Sequence, residues 1–284
     1  MNKCISALVF LCIIFCAVNV QLAVAQFSGS VYIEEDGSVV GTDNIQRNGD
    51  VYTLTGNISD GIQVQRSHIV IDGTGYTVQG NGEVSRRGID LSNDRGSDPS
   101  RPEICNVTVK NMRIVNFDRG IENVNTSNNT IIGNYIADCF TGINILGSPN
   151  NVIIKNNTIA NNINGISIAY SGGTQLITEN NMINDVVSSN NDIIVWLSPQ
   201  PVVNRNYWSD YNGIDSDGDG IGDTPYGFID TDYAKYMDDH PLMEPVPVIP
   251  EFPSQIILPL ILIATLVVIM YKKRLTRKTV CSPN

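Results

Sequence analysis

The sequence predicts an all-β chain: a right-handed parallel β-helix, a solenoid with three strands per coil of about 23 residues, followed by a C-terminal transmembrane helix. Three recurrences carry the solenoid. An Asn followed by an apolar or aromatic residue returns at Asn111-Met112, Asn134-Tyr135, Asn157-Thr158, Asn181-Met182 and Asn206-Tyr207, in steps of 23, 23, 24 and 25 residues, with Thr158 the one polar exception. Gly-Ile returns at Gly88-Ile89, Gly120-Ile121, Gly142-Ile143 and Gly165-Ile166, the first step being widened by an insertion around Asp98-Pro99-Ser100-Arg101-Pro102. A short β-branched strand returns at Val107-Thr108-Val109, Thr130-Ile131-Ile132, Val152-Ile153-Ile154 and Leu176-Ile177-Thr178.

A period of this size without helical spacing fits strands that each stack on a counterpart one coil away. Leucine-rich repeats share the period but need a Leu framework, whereas Ile, Val and Asn dominate here. Asn suits the turns because it tolerates left-handed geometry and its amide can bond to the same amide in the next coil. Asn116, Asp138 and Asn161, each four residues before the Gly, are expected to form one such ladder, and Ile121, Ile143 and Ile166 to point inward at one phase. Ile69-Val70-Ile71-Asp72-Gly73 and Tyr76-Thr77-Val78 continue the pattern upstream, and Val51-Tyr52-Thr53-Leu54 starts the first coil. Residues 45–210 are therefore assigned to a rod of six or seven coils, about 30 Å long at ~4.8 Å per coil. Residues 26–44 cap its first coil and residues 211–247 its last, since an open solenoid end exposes strand edges.

Both termini stand outside this unit. Lys3 precedes an apolar run from Ala7 to Val18, and Ala23-Val24-Ala25 supplies the small residues a signal peptidase reads, so residues 1–25 read as a signal peptide. Residues 248–253 form a linker and residues 254–271 the membrane span; the uncharged run extends far enough to cross a hydrocarbon core. Lys272, Lys273, Arg274, Arg277 and Lys278 mark residues 272–284 as a basic cytoplasmic tail, which places the ectodomain at the cell surface on a single-pass anchor. Only Cys105 and Cys139 lie in the ectodomain, at different phases of the repeat, and two buried thiols are expected rather than a bridge. The formal net charge of -11 excludes nucleic acid as a natural partner and favours cations and neutral sugars.

Val31-Tyr32-Ile33 with Asp36-Gly37-Ser38-Val39, then Tyr52-Thr53-Leu54-Thr55 and Ile69-Val70-Ile71-Asp72-Gly73-Thr74-Gly75-Tyr76, resemble the opening of archaeal β-helix surface proteins. These are grouped with NosD-like and carbohydrate-binding/sugar-hydrolase (CASH) β-helices. Asn206-Tyr207-Trp208-Ser209-Asp210-Tyr211, the stretch from Asp215 to Tyr226 and His240-Pro241-Leu242-Met243 are similar to the end of the same group. Glu251-Phe252-Pro253 resembles the archaeal PEF-CTERM sorting signal, which implies recognition by an archaeosortase. The resemblance specifies fold more than activity, because the shared motifs are turn and cap residues.

Chemistry is sparser. Asp90, Asp118, Asp138 and Asp185 fall at different phases, and Asp118 beside Arg119 is the one close acid and base pair, so no catalytic residue is assigned. The NosD resemblance implies copper, yet His68 and His240 are the only histidines and lie far apart, so copper is not expected. Asp215, Asp217, Asp219 and Asp223, with Gly220 and the carbonyl of Ile221, match the first part of an EF-hand Ca²⁺ loop; Tyr226 stands where its bidentate Glu belongs, leaving Asp210, Asp230 or Asp232 to complete the shell. Tyr207, Trp208 and Tyr211 fit either sugar stacking or a lid over the last coil. Asn57, Asn106, Asn125, Asn128 and Asn156 open Asn-x-Ser/Thr glycosylation sequons. The function expected is a noncatalytic surface module that binds carbohydrate or another envelope polymer. A polysaccharide lyase or glycosidase and a structural spacer are the alternatives.

Overall fold

The structure is a computed structural model that describes residues 31–83, 86–93, 104–147, 151–184, 193–196, 198–231 and 234–247. The expected signal peptide, the Asp98 to Pro102 insertion, Asp185, Asp232, the apolar C-terminal run and the basic tail lie outside the described residues. Among the described residues no helix is long and apolar enough to cross a membrane.

The chain winds through about six coils and builds three parallel sheets along one axis. One coil illustrates the rest: Thr108–Lys110 belongs to sheet B, Arg113–Val115 to sheet C and Arg119–Val124 to sheet A. Its successor repeats the order with Thr130–Ile132, Tyr135–Ala137 and Thr141–Leu146, paired in parallel with the first. Sheets A and B have eight strands and sheet C seven.

Alternation along each short strand decides what fills the tube. Ile62, Ile89, Ile121, Ile143, Ile166 and Ile193 sit in register on sheet A and are fully buried, as the Gly-Ile marker predicts. The Gly of that marker has a steric cause. A Cβ at Gly88, Gly120 or Gly142 would lie 2.5, 2.6 and 2.6 Å from the carbonyl oxygen of Gly120, Gly142 and Gly165 in the next coil.

The Asn recurrence resolves into two phases. Asn116, Asp138 and Asn161 do adopt left-handed φ of 64°, 55° and 56°, but their side chains form no ladder. Their coils are joined there by backbone, Asn116 N–H to Ala137 O at 3.2 Å and Asn161 N–H to Ile183 O at 2.9 Å. The amide ladder runs instead through Asn134, Asn157, Asn180 and Asn206, all buried. In each, both the backbone N–H and the side-chain Nδ2 donate to Oδ1 of the next Asn at 3.0 Å. The Nδ2 groups also donate to carbonyls one coil back: Asn157 to Ile131 O at 2.9 Å and Asn180 to Ile154 O at 3.0 Å. The physical reason is solvent: a left-handed turn residue at the surface has water for its amide, whereas a buried bend must satisfy every donor internally. Asn111 and Asn181 of the sequence marker fall one residue to either side of this column, whose positions are held by Met112 and Asn180.

Both ends are closed. Val31–Ile33, expected in the cap, already pairs in parallel with Ile62–Val64 and carries antiparallel Val39–Val40 on its free edge. Ile45–Asn48 closes sheet B by pairing antiparallel with Val51–Leu54. At the other end the hairpin Tyr226–Thr231 and Ala234–Asp238 brings Asp238 under the ladder. Its Oδ2 accepts from Asn206 N–H, Asn206 Nδ2 and Trp208 Nε1 at 2.8, 3.0 and 3.2 Å, and its Oδ1 from Arg205 N–H at 2.9 Å. Cys139 is buried and Cys105 only half-buried, and both are free thiols.

Two substitutions separate the two supports. Ile143→Asp places an unpaired charge in the tube, at a cost of several kcal/mol, and should leave no cooperative unfolding transition. Asn157→Ala removes a ladder acceptor and should lower unfolding free energy by about 2–4 kcal/mol, measured by denaturant titration, because buried donors in Asn134 lose their partner. A loss under ~0.5 kcal/mol would mean the column carries no stability.

Candidate functional site

The outer face of sheet A is where charge, polarity and exposed aromatic surface meet. Register sets three rows across the strands. Asp90, Glu122, Asn144 and Ser167 follow one another coil by coil, beside Arg87, Arg119, Thr141 and Asn164. A third row runs Val124, Leu146, Ala169 and Trp196.

At the N-terminal end of this face two arginines lie over two carboxylates. Arg87 Nη1 bonds Asp90 at 2.9 Å and Ser92 Oγ at 3.1 Å, Arg119 Nε meets Glu122 at 3.3 Å, and Asn144 Nδ2 donates to Glu122 Oε2 at 3.0 Å. The side chains of Arg87 and Arg119 are 35% and 37% exposed, those of Asp90 and Glu122 only 14% and 3%. An approaching ligand therefore meets guanidinium edges oriented from beneath by carboxylates. Burial pushes the Glu122 carboxyl up from its usual value; Arg119, the Asn144 amide and Arg87 pull it back only in part, and Asp90 adds to the rise. A depression of about 310 Å³ between Arg119, Glu122, Val124 and Leu146 joins through Arg87 to a smaller one of about 170 Å³ beside Gln63 and Arg86.

At the C-terminal end Tyr170 and Trp196 are 51% and 62% exposed, their rings 6.0 Å apart and tilted by 39°. Neither Glu122 nor Trp196 is singled out by the sequence. The acid directly after Gly-Ile in both Gly88-Ile89-Asp90 and Gly120-Ile121-Glu122 is the signal that would have found the stacked carboxylates. The insertion between them hides it.

The residues named from sequence lie mainly at the C-terminal cap. Carboxylate oxygens of Asp215, Asp217 and Asp219 come within 4.8 Å of one another. Asp215 accepts backbone N–H groups of Gly218, Asp219 and Gly220 at 2.7, 3.2 and 2.9 Å, and the Gly220 bond leads in holding its carboxyl below the usual range. Asp223 turns to the Ser216 N–H at 2.9 Å, the Ile221 N–H donates to Asp219 at 2.8 Å, and Asp210 receives the Tyr226 hydroxyl at 2.9 Å. Three hard oxygen donors thus converge, a donor set that fits Ca²⁺, while Asp223 and Asp210 are engaged elsewhere. Trp208 is 1% exposed, with its ring stacked on Tyr226 at 4.4 Å and Phe228 at 5.6 Å, so it offers no face to a sugar. Tyr207 and Tyr211 are half-buried, and the Tyr211 hydroxyl donates to the Thr224 carbonyl at 2.6 Å.

Asn106, Asn125, Asn128 and Asn156 occupy left-handed turns, and Asn57 is exposed with its Oδ1 accepting the Thr77 N–H. His68 bonds Asn106 near the start of the rod and His240 bonds Asn204 at its end.

The raised Glu122 carboxyl has a pH consequence. The folded state holds this proton more tightly than the unfolded chain, so its contribution is fully present below the unfolded carboxylate range, about pH 4.3, and is lost as pH rises through the folded value. Glu122→Gln should abolish that loss. Its stability relative to the parent, read by urea titration, should increase between pH 4.5 and 7; a pH-independent difference would show that the carboxyl is ionised throughout.

Comparison with curated proteins gives no match, and comparison with solved structures gives none. The family model described as the right handed beta helix region matches residues 30–217, which takes in all three sheets, the stacked carboxylates, the exposed aromatic pair and the first part of the acidic loop. The chain belongs to the right-handed beta helix family.

Proposed function

We propose that the chain is a membrane-anchored cell-surface module that binds carbohydrate or another envelope polymer along the outer face of sheet A, without catalysis. The observation that carries this reading is the sequence of groups along that face: guanidinium edges at one end, amides and hydroxyls in the middle, and an exposed Tyr170 and Trp196 pair at the other. Polar groups and aromatic faces set in a row one strand spacing apart match the alternating hydroxyl edges and apolar faces of a linear glycan. Catalysis is disfavoured because Glu122, at 3% exposure beneath two arginines, is not presented to a ligand.

A hydrolase or lyase is the second reading. Asp90 and Glu122 stack in adjacent coils in unlike environments, the arrangement that assigns acid and base roles in glycosidases. A purely structural spacer would need no such row. The carbohydrate-binding/sugar-hydrolase kinship inferred from sequence supports the choice of ligand class. Anchoring rests on the uncharged run of residues 254–271 and the basic tail, and an archaeosortase is the partner proposed for Glu251-Phe252-Pro253. Ca²⁺ at Asp215, Asp217 and Asp219, with the Ile221 carbonyl and Asp223, would fasten the cap; copper has no cluster of histidines to hold it.

Two measurements test these assignments. In affinity electrophoresis against a panel of soluble polysaccharides, at least one should retard the chain. Trp196→Ala should weaken that retardation about tenfold with no change in melting temperature, as expected for losing one exposed stacking face. Unchanged retardation moves the site off sheet A, and turnover of the retarding polymer establishes the enzyme. Separately, EDTA should lower the melting temperature relative to millimolar Ca²⁺, and Asp215→Asn with Asp219→Asn should remove the difference. Identical melting in both buffers leaves the loop an acidic turn.

A further inference from the structure

Sheet C has an outward row that is buried. Ile114, Ile136, Ile159 and Met182 belong to the central core, so by alternation Val115, Ala137, Ala160 and Ile183 point away from it, in register across four strands. Ala137 and Ala160 are nevertheless 0% and 3% exposed, and with Val115, Tyr135 and Ile183 they form an apolar cluster of their own. In the neighbouring row Thr158 and Asn181 are buried as well.

The end of the described chain leads onto this face. Leu242 pairs in parallel with Tyr207 beyond the last strand of sheet C. Four residues later the Val246 N–H donates to Asn181 Oδ1 at 2.7 Å and the Val246 carbonyl accepts from Asn181 Nδ2 at 2.8 Å. Between those contacts the backbone has stepped from the end of the rod inward past the Tyr207 strand, heading toward the N-terminal coils.

We propose that the outer face of sheet C is a docking groove for residues 247–253 of the same chain, laid along the rod axis as an extended strap. The segment reads Pro247-Val248-Ile249-Pro250-Glu251-Phe252-Pro253, with Pro245 before it. Prolines at this density favour the polyproline conformation and lack N–H groups for a strand ladder, which suits attachment through side-chain amides such as that of Asn181. Length and charge agree. Glu251 lies about 15 Å beyond Val246 at ~3.1 Å per residue, and Arg113 lies three strands beyond Asn181, about 14 Å at ~4.8 Å per strand. Arg113 is exposed, with its guanidinium 4.1 Å from the centre of the Tyr135 ring, and Glu251 is the one charged residue of the segment. Val248 falls opposite Thr158 and Ala160, and Ile249 opposite Tyr135 and Ala137, so the two apolar strap residues meet the two most buried positions of the row. The strap would bring the chain off the side of the rod near Arg113 and leave sheet A uncovered.

Disulfide trapping in the full chain tests this. Val246→Cys with Asn181→Cys reports the contact already seen, and Val248→Cys with Ala160→Cys, or with Thr158→Cys should the buried site not tolerate sulfur, reports the strap. Under mild oxidation both pairs should close within one chain, identified by mass spectrometry of the digest. Closure of the first pair without the second overturns the proposal, and closure only between chains assigns the groove to a second copy. An independent arm uses charge. Arg113→Glu should speed proteinase K cleavage within residues 247–253 severalfold, and Arg113→Glu combined with Glu251→Arg should restore protection. Cleavage indifferent to both changes also overturns it.

Discussion

Everything in this molecule follows from one requirement: each buried amide must find its partner one coil away. Strands of two to six residues have too little of their own surface to hold a conformation, so a coil is stable only between two others. The bends are where that requirement is hardest to meet, since the chain turns sharply with no ladder to join. The column of Asn134, Asn157, Asn180 and Asn206 solves the problem at the bend between sheets B and C. Each side chain supplies the acceptor and the donor that the turning backbone lacks. A Leu there would fill the volume but strand the N–H groups.

That requirement also explains what could be read from the sequence. The Gly-Ile recurrence marked sheet A correctly because it combines two rigid demands, a Cβ-free approach between coils and an inward β-branched side chain. The Asn recurrence was harder. Buried Asn134 and surface Asn111 carry the same letter for different reasons, one for its amide and the other for its tolerance of positive φ. Periodicity alone cannot tell them apart, which is why the ladder was placed at Asn116, Asp138 and Asn161. Asp238 was invisible for another reason: it reaches the column from a hairpin 32 residues beyond Asn206, and no repeat predicts where a non-repeating segment will fold back. Glu122 escaped notice because its partner Asp90 sits across an insertion that breaks the period.

The three faces have diverged while the interior stayed uniform. Sheet B presents Thr130, Ile153, Leu176 and Val202 in one row, with Lys110 to Asp72 and Lys155 to Glu179 ion pairs alongside. Sheet C presents small apolar residues, and sheet A presents charge, amides and rings. Inward positions tolerate little change, because each is stacked against its own copy above and below, whereas outward positions are constrained only by their immediate neighbours. A solenoid of this kind can therefore vary what it recognises without altering how it stands.

The ladder has a direction. Each Asn offers its oxygen to the preceding coil and its hydrogens to the following one, so the column resembles a chain of identical connectors with a plug at one end and a socket at the other. Asp238, a carboxylate with no hydrogen to give, accepts at the last socket and passes nothing on. The rod can thus be lengthened or shortened by whole coils upstream of Asn206 without rewiring, while its terminus is fixed chemically by a group that only accepts. A coil added beyond Asp238 would have no hydrogen to receive there, and growth from that end stops.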